Sequence, residues 1–580
     1  MYLKDEFLKT IVSVYDRVCE IQTDEGQFVD PESGYTVYSQ YAGYYFALLY
    51  TLDNKNNPYY KKDEVFERVI RGWDFYSTQI TNNGLAKIIT YNQFWYDSID
   101  EWGIYYWINT IELIKDYIDS ERLDKWNSCI DKAIEHIKEH IYKVTQSEKY
   151  QIALKKNDAH NHFIWTLLCF YRYGMTRNIV SIIDDARKEL ERLIMYQSDA
   201  GAWKESGTLV VNYAEVAACA ISLFELFDNN LKAENAIKKN LNYVLSTIYP
   251  DLTKNECIDG RNRYSKSIVS YTALTFYKYE AGRCYLSNWI RYISKNVNIG
   301  RKLQGLAVIT DITNFMPEGI KLAAEKEDIK SVAKKEDIKS VAEKIELKSA
   351  ESMSDDAGKS SGIGIWNYVP KTTYYKEYKA KIVRHNNWVI TMCCLEQEIS
   401  NNRFILERQN LLSIYNSKSE VVIGGGHSIS QPEFSCFNII SCGKLYYLHK
   451  EGRINEDSMN INMLLMYGER KCNIEVAFLD KISDKIKVVY TVDGLAETER
   501  AFVNIPIVGE QGLTIELDDE IVSWDTNYHI KNITSGKYIK YKNMEISLSE
   551  DAIFQYPLFP YNSYKQVQKK DYSEVFGILR

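Results

Sequence analysis

Proline is scarce: nine in 580 residues, with none between Pro58 and Pro250. So long a proline-free stretch suits an array of helices, whose interior turns proline would break, and fits a strand-and-turn protein poorly. No run approaches the roughly 18 consecutive apolar residues of a spanning helix, which excludes a membrane bundle. Cysteine shows no CxxC spacing, and most of the 11 lie in apolar runs, as Cys169 does in WTLLCFY and Cys219 in VAACAIS. They read as reduced core thiols of a cytoplasmic protein. HExxH, a G-x-S-x-G elbow and a dinucleotide fingerprint are all missing. His136 and His140 sit at helical spacing in a Lys/Glu-rich segment without further ligands, so neither a metal nor a cofactor is expected. Basic charge does not dominate either. Lys+Arg number 71 against Asp+Glu 79, a net charge of −8, which removes a general grip on nucleic acid.

Tyrosine is what abounds, 46 against 20 phenylalanines. Its flat apolar face and polar tip suit wet, concave, stacking surfaces better than dry cores. An apolar fraction of 45% and a charged fraction of 26% are ordinary for a globular chain, and the length demands two or more domains.

Apolar residues recur at three- and four-residue steps through the first half. The pattern predicts about eleven helices: one in MYLKDEFLKTIVSVYDRVCE, which resembles no secretory signal, then 41–52, 63–80, 101–118, 122–144, 161–174, 178–197, 212–227, 233–249, 267–282 and 284–297. Short loops join them as helical hairpins, and no fixed-period motif marks a solenoid. Glycine and aromatic residues cluster at inter-helix loops instead. We therefore expect an (α/α) toroid, as an incomplete or complete barrel, over residues 1–300. A connecting segment, 301–364, carries the octapeptide KEDIKSVA twice, at 326–333 and 335–342, and reads as a solvated charged tether. From 365 to 580 period-two alternation, as in KIKVVYTVDG and GLTIELDDEIVSW, predicts an antiparallel β-sandwich domain. The fold class is α+β multidomain.

Three junctions carry candidate chemistry. In Asp158-Ala159-His160-Asn161-His162, Asp158 is placed to cap the next helix, with Asn161 and His162 in its first turn. An Asn amide there can donate to a carboxylate, and a histidine can act as a base near neutral pH. In Ser198–Gly207, Trp203 and Glu205 sit in a Gly/Ser turn, offering an aromatic platform and a carboxylate for sugar hydroxyls, with Tyr213 opening the following helix. In Asp259-Gly260-Arg261-Asn262-Arg263-Tyr264, two arginines beside an aromatic invite an anionic group. Gln93, Trp95, Tyr96, Asp97, Glu101 and Trp102 form a weaker cluster. In the β half His427 follows Gly424-Gly425-Gly426, which is no phosphate loop.

A helical toroid followed by a β domain, with Asn161-His162 opening one helix and a Gly/Trp turn preceding Asn212-Tyr213, resembles the heparinase II/III-like and alginate-lyase-like polysaccharide lyases. The resemblance implies β-elimination on uronic-acid-containing glycans. It implies Asn161 for the carboxylate, His162 as base or relay, Tyr213 as acid/base and Glu205 as an orienting residue. Around them, His160, Trp203, Trp95, Arg261, Arg263, Tyr264 and His427 would bind substrate. The chain departs from the family in having His160 where a second Asn is usual. Its Asp-Gly-Arg turn resembles that of β-glucuronide hydrolases on the same toroid, so hydrolysis by a carboxylate pair drawn from Glu205, Asp259, Asp97 and Glu101 is the alternative. A non-catalytic glycan-binding protein is a further one. The partner expected is an acidic oligo- or polysaccharide, without nucleic acid or membrane. Homo-oligomerisation stays open, and a leader preceding the chain would make the protein secreted.

Overall fold

Burial sorts the helices into two kinds, and the sorting defines the architecture. The structure is a computed structural model describing residues 2–29, 41–90, 93–261, 266–296, 303–322, 365–397, 404–425, 431–456, 459–479, 485–510, 512–517, 520–523, 529–561 and 574–580. The KEDIKSVA duplication, Arg263, Tyr264 and His427 lie outside the described residues. Two compact units emerge: Met1–Gly207 with Asn212–Leu245 and Val269–Tyr368, and Thr208–Val211 with Ser246–Ile268 and Val369–Arg580.

The first unit is helical. Its elements are α1 (Leu3–Ser13), α2 (Tyr15–Glu20), α3 (Ala42–Thr51), α4 (Asp63–Gln79), α5 (Glu101–Ile114), α6 (Ser120–Gln146), α7 (Glu148–Lys155), α8 (Asn161–Arg177), α9 (Val180–Ile194), α10 (Val211–Asp228), α11 (Leu231–Ser246), α12 (Glu280–Asn296) and α13 (Leu303–Phe315). Nine of the 10 residues of α3, twelve of the 14 of α5 and twelve of the 17 of α8 are buried, so these helices are wrapped on nearly every side. Each is followed by a helix with a single apolar stripe. The stripe is Val65, Val69, Trp73 and Tyr76 in α4, and Trp126, Ile130, Ile134 and Ile137 in α6. In α9 it is Ala186, Leu190 and Leu193. Steps of three and four residues put each stripe on one face. Alternation of a wrapped inner helix and an amphipathic outer one is the (α/α) toroid pattern.

Three local differences from the sequence reading have physical causes. Residues 266–273 are not helical, because their carbonyls bond outward: Ser267 O accepts the Lys254 N–H (3.1 Å) and Val269 O the Trp289 indole N–H (2.8 Å). The chain runs extended into a 3₁₀ turn at Leu274–Lys278, anchored by Leu274 N–H on Ser222 Oγ (3.0 Å). Ala86–Thr90 and Gln93–Ser98 form an antiparallel hairpin rather than a loop. Residues 303–315, expected within the connecting segment, form α13, which packs on α1 and α3.

In the second unit nine antiparallel strands form one sheet, in the order 529–533, 552–558, 574–579, 505–510, 420–423, 408–416, 388–396, 380–385, 372–375. Ile390, Met392, Leu412 and Ile414 share a core with Ile461, Met463, Leu465, Ile474 and Val476 of a four-stranded sheet. Ile507, Phe554 and Leu579 share another with Ile515, Leu517 and Ile539 of a second. The β-sandwich expected from alternation is therefore present. Strand 388–396 nevertheless reads as a nearly continuous apolar run, and strand 408–416 is buried along most of its length despite Gln409, Asn410 and Ser413, because both faces are covered. Segment Ser246–Ile268 covers part of this sheet: Asn255 Nδ2 donates to Thr391 Oγ1 (2.6 Å), Ser413 Oγ to Glu256 Oε1 (2.8 Å), and Tyr249 stacks on Tyr415. Chain that the sequence reading placed in the helical domain thus belongs to the β unit.

Candidate active site

At the start of α5, Asp100 is the N-cap and accepts the Gly103 N–H (3.0 Å). Its carboxylate also accepts the hydroxyls of Tyr76 (2.6 Å) and Tyr41 (3.2 Å). Burial pushes its pKa up to about 6 against those three hydrogen bonds. Gly103 is required by space, since a Cβ there would lie 2.2 Å from Asp100 Oδ2 and 2.3 Å from the Tyr76 oxygen. Gly103→Ala should cost about 2–3 kcal/mol of stability, as overpacking does. A melting temperature unchanged by that substitution would contradict the tight cap.

The next residue, Glu101, is 5% exposed and lies 2.7 Å from His162 Nδ1. An ionised carboxylate only accepts, so Nδ1 carries the proton and Nε2 is left as the basic nitrogen. The His162 ring is 53% exposed and meets Trp102 edge-on at 4.8 Å. A buried carboxylate thus orients a half-exposed imidazole, the usual construction of a general base.

A second pair lies alongside. Ala159 N–H donates to Lys204 O (3.2 Å) and Asp158 bridges Lys204, which brings the 198–207 turn to the head of α8. There Glu205 Oε2 accepts the Asn161 amide (3.0 Å) and the Asn161 backbone N–H (3.4 Å). Its Oε1 lies 3.0 Å from His160 Nε2. The residue at the N-terminus of α8 is therefore Glu205, not Asp158, and its charge complements the helix dipole. Asp158 instead accepts the backbone N–H groups of Ser206 and Gly207, both in left-handed conformation.

Protonation follows this layout. Burial pushes Asp158 up to about 6, reinforced by the charge of Glu205. For Glu205, burial pulls upward but is outweighed by His160 and the Asn161 donors, leaving the group below the usual carboxylate value. For His160, burial pulls downward and is outweighed by Glu205, Asp158 and Glu101, leaving it above the ordinary histidine value. The two imidazole rings are 5.5 Å apart.

His160, Asn161, His162 and Glu205 are thus brought together, with Asp158, Glu101 and Trp102. Tyr213 lies half-buried in the first turn of α10. Trp203 is a correction: it is 1% exposed and its indole N–H donates to Leu193 O (3.2 Å), so it offers no face to a sugar. Trp95 lies on the hairpin strand Gln93–Ser98. Arg261 belongs to the β unit, with its guanidinium 5.6 Å from the Phe404 ring. Asp259 pairs with Lys254 at 2.6 Å, both buried, so that carboxylate serves the fold rather than a hydrolytic pair. The pairing of Glu101 with His162 was the feature least visible beforehand, because 61 residues separate them. Among the described residues no group of metal-ligating side chains could hold an ion, and no helix is long and apolar enough to cross a membrane.

No family profile matches the chain, and no curated protein matches it in sequence. Solved structures do. A chondroitinase AC lyase studied in oligosaccharide complexes is 10% identical over 100% of this chain and 79% of its own, with a TM-score of 0.48. A Streptomyces coelicolor A3 chondroitin AC lyase is 9% identical over 99% and 76%, at 0.46. Heparinase III is 10% identical over 93% and 73%, at 0.45.

Proposed function

We propose that the chain is a polysaccharide lyase that cleaves uronic-acid-containing glycans by β-elimination. The observation that carries this reading is the His162–Glu101 pair: a half-exposed imidazole with Nδ1 fixed on a buried carboxylate. Nε2 of His162 takes the hydrogen from the carbon next to the uronate carboxylate. The electron pair forms the ring double bond and expels the glycosidic oxygen at the neighbouring carbon, which Tyr213 protonates. No water is consumed. Such a hydrogen becomes acidic only when the carboxylate is neutralised by nearby donors, which is electrostatic work for a preorganised site.

The test is the ultraviolet absorbance of the conjugated enoate released from uronate polymers. We expect it to rise with time, and reducing ends released without it would overturn elimination. Hydrolysis is the second reading, favoured by one observation. Asp158 is pushed up to about 6 while Glu205 is held low, the divergence expected of an acid and a base sharing a site.

A further inference from the structure

We propose that His160, rather than Asn161, receives the substrate's carboxylate: held by Glu205 through Nε2, its imidazolium offers Nδ1–H beside the His162 base. The assignment rests on the uronate reading above and names the group that would neutralise the acid. Asn161, which the family resemblance points to, is 3% exposed and its amide already donates to Glu205 at 3.0 Å. His160, one residue earlier, is 54% exposed. Glu205 lies 3.0 Å from Nε2 and leaves Nδ1 as the ring's other polar atom.

The geometry suits the reaction. A uronate carboxylate and its acidic hydrogen are borne by the same ring carbon, so their receptors must be close neighbours. The imidazole rings of His160 and His162 are 5.5 Å apart. Each histidine has its own carboxylate, which separates their duties: Glu101 orients a base, and Glu205 anchors a cation.

Four titratable groups face His160: Glu205 from the 198–207 turn, Asp158 before α8, Glu101 from α5 and His162 on α8 itself. The carboxylates favour the imidazolium, which is complete well below its raised pKa and lost as pH climbs through it. Deprotonation does more than remove charge. With Nε2–H still donating to Glu205, Nδ1 becomes an acceptor and repels a carboxylate.

Binding of tetrasaccharides built on glucuronate or mannuronate, compared with carboxyl-reduced counterparts, tests the assignment. At about pH 6, where an imidazolium is well populated, the native protein should prefer at least one carboxylate form by about ten- to a hundredfold, the value of a charge-assisted hydrogen bond. The preference should fall as pH rises. His160→Gln should abolish it, and His160→Arg should keep it without the pH dependence. Preference retained in His160→Gln, preference lost in His160→Arg, or no preference in the native protein would overturn the assignment. The enoate measurement is independent: its failure would remove elimination and leave a carboxylate-selective subsite standing.

Discussion

His162→Ala should lower kcat by about 10²–10⁴ and Glu101→Gln by about 10²–10³, with KM nearly unchanged in both. The first removes the base. The second keeps size and shape but replaces an obligate acceptor with a group that can also donate. A glutamine NH₂ facing Nδ1 stabilises the opposite tautomer, with the proton on Nε2, and the lone pair is then withdrawn from the substrate side. Glu101 acts through His162, so it is a positioning residue and needs a readout that a purely structural role would not move. Nitrogen NMR of the imidazole supplies one: Nε2 should change from unprotonated to protonated in Glu101→Gln, in step with the loss of turnover. Turnover within about threefold of the native value, a small effect on the scale of acid–base catalysis, would remove His162 from the proposed chemistry.

The helical half of the molecule was legible because inner and outer helices both carry apolar residues at helical steps, whatever their burial. Position within the array was not legible. WGIYYWINTI and FIWTLLCFY are wrapped on all sides, and a run that is buried everywhere has no preferred face to reveal. The β half was legible where polar and apolar residues alternate, as in Ile486–Asp493, and also in Trp388–Glu396, a mostly apolar strand covered on both faces. Chain assignment failed where the path leaves one unit and returns: Ser246–Ile268 lies between helices in sequence yet packs on β strands. At the site, adjacent residues were readable as a group and distant ones were not. Asn161 and His162 announced a helix start carrying polar chemistry. That His160 and Asn161 would hold Glu205, while His162 would hold Glu101, depends on loops 44 and 61 residues away. Trp203 misled because a Gly/Ser turn looks exposed in sequence, although its indole is folded under the turn onto Leu193.

Glu215→Gln should stabilise the helical unit at alkaline pH by about 2–4 kcal/mol and destabilise it by about 1–3 kcal/mol near pH 4. Glu215 is 1% exposed on α10 and accepts one hydroxyl, from Tyr285 at 3.2 Å, while its Oε1 has no partner among the described residues. Burial pushes its pKa up to about 8, with the Tyr285 hydrogen bond opposing. The folded chain therefore holds this proton more tightly than the unfolded chain, where a glutamate titrates near 4.3. Below that value both states are protonated and nothing is lost. Between it and about 8, stability falls with rising pH by roughly 1.4 kcal/mol per pH unit, to a total of about 5 kcal/mol. Glutamine fills the same volume without a charge to bury, so it escapes the loss. Its NH₂ lacks an acceptor, at about 1–3 kcal/mol, which is why the net gain is smaller than the whole penalty. Urea unfolding of the intact chain from pH 4 to 9, followed by helical circular dichroism, measures the difference. A loss that turns into a gain through the interval fits a carboxyl kept neutral by burial. A difference independent of pH would mean that Glu215 is ionised in the folded protein and that the interior around α10 is far more polar than its packing implies.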